Sequence, residues 1–230
     1  MNNEMNNNMD KVVLLCCTGR SGSTTLQRII NTIPNSNICG ENYGAINSLL
    51  LFYKKLKQTT FIQVHGNKKP ISYENLISMG IKPAWYNSYN IDEIMNITRL
   101  MITNIFKKSN NTILWGFKEI RYENGNINLI KEFKELFPQT KVIIQIREDV
   151  EKQSNSSWYK NDPNSTKMLT LLNTELYNFY KDNKEYCYFT TFERMFHMNN
   201  LEKMFEFINC KENFNKEKIK EILSNELKSN

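Results

Sequence analysis

The chain has 230 residues, 40% of them hydrophobic, which is enough for one sizeable core and too apolar for a disordered segment. Its formal charge of +6 suits an anionic small ligand but falls short of the concentrated basic stripe of a nucleic-acid binder. Five cysteines without CxxC or Cys/His spacing and only two histidines, His65 and His197, leave no metal-site pattern and point to reduced thiols in a cytosol-like compartment.

The polar opening MNNEMNNNMD, residues 1–10, reads as a disordered tail and not as a signal peptide. No window approaches the ~18–20 apolar residues that a membrane span needs, so a soluble, cytoplasmic protein is expected. The run KVVLLCC that follows is continuously apolar, as a strand buried on both faces would be. After the turn TGRSG comes a helix with Leu26, Ile29, Ile30 and Ile33 at helical spacing, ended by Pro34. NICGE reads as a short second strand with Glu41 just past its end, and 43–58 as a helix that turns basic.

Residues 59–90 hold two Pro, two Gly and several aromatics, and read as irregular. Helical periodicity resumes from Ile91, with Ile94, Met95, Ile102, Ile105 and Phe106 on the apolar side. Then come a strand (TILWGFKEI), a helix (NLIKEFKELF) closed by Pro138, a strand (KVIIQIR) and a helix capped by Asp149. A helix over 164–184, a last strand (EYCYFTTF) and two further helices complete the chain. Strands alternating with helices predict an α/β, P-loop-like three-layer fold with a mainly parallel central sheet flanked by helices. Without repeats or a linker, 11–230 is expected to be a single domain.

The turn TGRSGSTTL has the composition of a phosphate-binding loop. Gly19 and Gly22 allow a tight turn and close approach to a ligand. Ser21, Ser23, Thr24 and Thr25 offer hydroxyls, and the helix start offers unpaired N–H groups and a positive dipole end. The Gly-Lys-Ser/Thr ending of a nucleotide kinase is missing, and Arg20 supplies a forked, permanent charge suited to phosphate or sulfate oxygens. Taken alone, the same residues also fit a plain Gly/Ser turn between a strand and a helix.

The stretch GRSGSTTLQRIINTIPNSNICGEN resembles the opening signature of sulfotransferases that use 3′-phosphoadenosine-5′-phosphosulfate (PAPS). It is most similar to the branch with Arg-Ser-Gly in the loop, which includes protein-tyrosine and bacterial carbohydrate sulfotransferases. GFKEIRY (116–122) and KVIIQIREDVEKQSNSSW (141–158) extend the resemblance over about 11–160. It implies that Gly19 to Thr25 grip the 5′-phosphosulfate and that Arg147, with a serine one or two helical turns later, holds the 3′-phosphate. Ser154, Ser156 and Ser157 all fit that description, and Ser156, nine positions on, has the spacing of some bacterial members. Independently, Arg147 stands where an apolar strand ends, the ligand-binding edge of an open parallel sheet.

Sulfuryl transfer resembles phosphoryl transfer in needing in-line positioning and stabilisation of spreading charge, which cationic side chains can provide without a metal. The resemblance implies a catalytic glutamate, matched here by Glu41 in Cys-Gly-Glu, as general base. Lys118 at the end of a central strand would stabilise the bridging oxygen together with Arg20; its bland alternative is a salt bridge with Glu119. Arg121 has no spacing that assigns it a role, and His65 lies in the irregular segment with no adjacent acid to orient it. The expected products are a sulfated hydroxyl acceptor and 3′,5′-bisphosphoadenosine (PAP), with residues 59–110 as an insertion that builds the acceptor site. A carbohydrate, a phenol or a peptide tyrosine would all fit as acceptor. A P-loop small-molecule kinase and a non-catalytic nucleotide-binding module are the competing readings.

Overall fold

A computed structural model describes residues 10–65, 67–83 and 85–229. The tail expectation for 1–9 therefore lies outside the described residues. In chain order the elements begin with β1 (Lys11–Cys17), α1 (Ser23–Ile30), β2 (Ser36–Cys39) and α2 (Ala45–Thr59). Next are β3 (Phe61–Val64), β4 (Asn67–Lys69), α3 (Tyr73–Ser78), β5 (Trp85–Asn87) and α4 (Ile91–Phe106). They continue with β6 (Leu114–Glu119), α5 (Leu129–Leu136), β7 (Lys141–Ile146), α6 (Val150–Ser154) and α7 (Ser165–Asp182). Last come β8 (Cys187–Thr191), α8 (Met198–Phe207) and α9 (Lys216–Ser229). None of the described helices is long and apolar enough to cross a membrane.

The alternation of strand and helix gives the expected α/β architecture. Two compact units form: one takes in residues up to Tyr43, Phe106–Ile127 and Pro138 onward, the other Gly44–Ile105 and Asn128–Phe137. The first unit holds a five-stranded, all-parallel sheet in the order β2–β6–β1–β7–β8. In the central strand β1, Val12 to Cys17 are all buried, as its unbroken apolar run predicts. Side-chain alternation then sorts the core into layers. Val13, Leu15 and Cys17 join Leu26, Ile29 and Ile30 of α1, Leu201 and Phe205 of α8 and Ile219 of α9 in one cluster. On the opposite face Phe189 of β8 stacks on Tyr180 of α7, with ring centroids 5.3 Å apart. Helices thus cover both faces of the sheet, in the three layers of a P-loop-like fold.

The second unit corrects one expectation. The described part of 59–90 is not irregular throughout: β4, β3 and β5 form an antiparallel sheet, and α3, which lies between β4 and β5 in the chain, is capped by Ser72, whose Oγ accepts the Asn75 N–H at 3.1 Å. The strands are three or four residues long, and those of β4 and β5 are exposed throughout, so no alternation of apolar and polar residues marks them in the sequence. In the same unit Lys57 of α2 bonds Glu132 of α5 at 2.8 Å, and the Arg99 Nε of α4 donates to the Leu136 carbonyl at 2.5 Å.

Candidate active site

All five strands of the main sheet run parallel, so their carboxyl ends lie along one edge, where ligands of open α/β sheets bind. From β1 the chain goes on to β2 on one side of the sheet, and from β7 to β8 on the other, so a crevice opens between β1 and β7. Residues 18–22 follow β1, Glu41 follows β2, Lys118 ends β6, Arg147 follows β7 and Phe192 follows β8. The fold gathers them although they span most of the sequence.

The loop after β1 turns through two left-handed residues, Arg20 (φ 59°) and Gly22 (φ 73°). For arginine that conformation costs about 1–3 kcal/mol, a strain that concentrates at functional sites. Gly22 is required twice over, because a Cβ there would also lie 2.4 Å from Cδ2 of Phe192. Gly19 is similarly confined: its Cβ would come within 2.5 Å of the Tyr159 hydroxyl. Ser21 is buried, and its Oγ donates inward to the Thr18 carbonyl at 2.7 Å, so it braces the turn. The fully buried Gln153 of α6 braces it from outside, donating to Thr18 Oγ1 at 2.9 Å and the Gly19 carbonyl at 2.6 Å. Gly22 leads directly into α1; its carbonyl accepts the N–H groups of Thr25 and Leu26, each at 3.1 Å, and the N–H groups of Ser23 and Thr24 at the helix start are the donors such a terminus offers to an anion.

Lys118 does not pair with Glu119. Its side chain is 6% exposed, and its Nζ donates to Glu41 Oε1 at 2.9 Å and Thr24 Oγ1 at 3.2 Å. Two of its three N–H donors are thus used, and one remains for an anion. Arg121, to which the sequence assigned no role, bonds the other Glu41 oxygen at 3.3 Å and the buried Glu119 at 2.8 Å. Each Glu41 oxygen carries one cation and keeps a second lone pair for an incoming hydroxyl.

Arg147 is a different kind of cation. Among the described residues it has no ion pair, and its buried Nε has no hydrogen-bond partner. Its guanidinium lies 4.6 Å over the Phe192 ring and donates weakly to the Arg20 carbonyl at 3.5 Å. Its own carbonyl is held by the Asn173 amide of α7 at 3.2 Å.

The serine candidates separate. Asp149 caps α6 as expected, its carboxylate accepting the Lys152 N–H at 2.9 Å, and this bond is the main reason its pKa lies below the usual range. That helix ends at Ser154, so Ser156 stands beyond it in extended backbone, its Oγ donating to the Gln153 carbonyl at 2.8 Å. Ser154 is buried and bonded to the Glu151 carbonyl and Thr166, while Ser157 is exposed with φ 55°.

Two cavities open on this edge. A cleft of about 90 Å³ is lined by Gly19, Arg20, Gly22, Ser23, Thr24 and Thr25, and is closed by Glu41, Lys118, Arg147, Trp158 and Phe192. Ser21 and Ser156 are not among its lining residues. A larger cavity of about 750 Å³ adjoins it, sharing Glu41, Ile120 and Trp158. Its walls come from residues 41–43, 120–124 and 158–175 of the first unit.

Sequence reasoning missed Phe192, Gln153 and Tyr159. The rule that pointed to Arg147, a residue just past an apolar strand, applies equally to Phe192 after β8. Gln153 and Tyr159 carry no such signal, because only the fold places them against the loop. Comparison with known proteins adds no relative: no family model matches the chain, and no curated protein matches it.

Proposed function

We propose that the chain is a PAPS-dependent sulfotransferase that moves a sulfuryl group to an acceptor hydroxyl and releases PAP. One observation carries this reading: an arginine-bearing anion loop, a Lys118–Glu41 pair and an arginine without an ion pair surround one small cleft. Arg20, the hydroxyls of Ser23, Thr24 and Thr25 and the first turn of α1 hold the 5′-phosphosulfate, while Ser21 braces the loop from within. Arg147 addresses the 3′-phosphate that distinguishes this donor from ATP; Ser156, whose Oγ donates to the Gln153 carbonyl and which lies outside the cleft lining, has no part in this reading. The acceptor oxygen attacks sulfur as the bond from sulfur to the bridging phosphate oxygen breaks, and the hydroxyl proton passes to Glu41. Lys118 and Arg20 offset the negative charge that grows on the departing oxygen.

Calorimetric titration of the chain with PAP, ADP and Mg·ATP tests the donor class. PAP should bind at least about tenfold more tightly than ADP, a difference of roughly 1.4 kcal/mol. Preference for Mg·ATP would replace this reading with a small-molecule kinase. Binding of PAP without turnover of any acceptor would reduce the protein to a nucleotide-binding module.

A further inference from the structure

We propose that the larger cavity is the acceptor pocket and that it selects a small aromatic alcohol carrying a cationic group. The inference rests on the sulfotransferase reading and narrows its substrate. Glu41, the proposed base, lies in the wall shared by the cavity and the anion cleft, so a hydroxyl brought to it from the larger side faces the loop.

The size comes first. About 750 Å³ lies within the ~300–1,000 Å³ range of small-molecule pockets, so the acceptor is a compact molecule.

The lining comes second. Trp158 is 58% exposed and Tyr43 88% exposed, and each is faced by a guanidinium, Arg20 at 5.9 Å and Arg121 at 5.0 Å. Both rings border the cavity, with Tyr159 beside Trp158 at 5.5 Å between centroids. From α7, Met168 and Leu171 turn an apolar stripe toward the cavity while remaining 39% and 61% exposed. Residues 168, 171, 172 and 175 share one helix face by their spacing. Such a wall gains from a flat apolar body that covers the rings and the α7 stripe together.

Charge settles the rest. Glu41, Glu123 and Glu175 line the cavity against one cation, Arg121, which already bonds Glu41 and Glu119. Glu123 and Glu175 have no ion pair among the described residues. Glu175 follows Leu171 by four residues on α7, so a cation at that end of an aromatic acceptor would meet a carboxylate that has no ion pair among the described residues.

The test compares three phenols with similar reacting hydroxyls: tyramine, neutral 4-ethylphenol and anionic 3-(4-hydroxyphenyl)propanoate. Sulfation by the full chain with PAPS is followed through PAP release, with PAP affinity measured separately by calorimetry. Tyramine should exceed the acid by about tenfold or more in kcat/KM, and Glu175→Gln should shrink that ratio while PAP affinity holds. If PAP binds but the acid is preferred, or the three phenols react alike, the inference is wrong and the donor reading stands. If PAP binds and none of the phenols reacts, or binds the PAP complex in calorimetry, the inference is equally overturned. Failure of PAP to bind would remove the donor reading, and this inference with it.

Discussion

Arg147→Ala separates a ligand-binding role from a structural one, because little in the fold depends on this side chain. Removing it strands no carboxylate, since Arg147 has no ion pair among the described residues. What the fold loses is the contact with Phe192 at 4.6 Å and a hydrogen bond at the 3.5 Å limit. A cation over an aromatic ring is worth about 0.5–2 kcal/mol. At about 2–4 °C per kcal/mol for a chain of this size, the melting temperature should fall by no more than about 8 °C. A bound phosphate would lose much more. Two charge-assisted hydrogen bonds at about 1.5 kcal/mol each amount to ~3 kcal/mol, or roughly a hundredfold in affinity. Calorimetry with PAP and with 5′-AMP, which lacks the 3′-phosphate, reads the difference. The variant should lose about a hundredfold for PAP and less than about threefold for AMP. Equal losses for the two nucleotides would remove Arg147 from the 3′-phosphate, and a melting point lowered by more than 15 °C, on the order of twice the bound above, would show it to be structural.

Glu41→Gln should cut turnover by about 10²–10⁴-fold while PAP affinity stays within about threefold, because a glutamine oxygen can still accept from Lys118; a normal rate rules Glu41 out as the base. Gly22→Ala places a β-carbon 2.4 Å from Phe192 Cδ2 at a backbone with φ 73°. The left-handed conformation alone costs about 1–2 kcal/mol, and thermal melts should show that cost plus a steric part relieved in a Phe192→Ala background. Absence of coupling between the two substitutions would mean that Phe192 is not what confines Gly22. Four of the five thiols should be inert in the native state. Burial pushes Cys17 up to about 12 and also raises Cys16 and Cys210, while Cys39 alone of the five cysteines is half-buried. Titration with a thiol reagent at neutral pH should find one fast-reacting group before denaturation and all five after it; rapid reaction of more than one would contradict the packing.

The strands and helices of the main sheet were legible because burial leaves a simple trace. A strand covered on both faces needs an unbroken apolar run, and KVVLLCC and KVIIQI supply it. The loop was legible because positive φ and close approach demand glycine, and Gly22 meets both conditions. What the sequence does not carry is pairing. Lys118 has Glu119 next to it, yet the pleat turns neighbouring residues to opposite faces of the sheet. Lys118 therefore meets Glu41 and Thr24, 77 and 94 positions away, while Glu119 meets Arg121. The small sheet of the second unit escaped for the opposite reason: strands that bury little leave no apolar alternation to detect.

The edge of the main sheet also divides its cations by what holds them. Lys118 and Arg121 are committed to carboxylates, and both share Glu41. Arg20 and Arg147 have no ion pair among the described residues and rest on aromatic rings, Trp158 and Phe192. A ring can hold a guanidinium in place without neutralising it, so these two charges stay available to a ligand. The paired cations do a different task, fixing both oxygens of Glu41 beside the loop. On the sulfotransferase reading, donor binding and proton acceptance draw on separate charges, and Lys118, bonded to Glu41 and to Thr24 at the start of α1, joins the two.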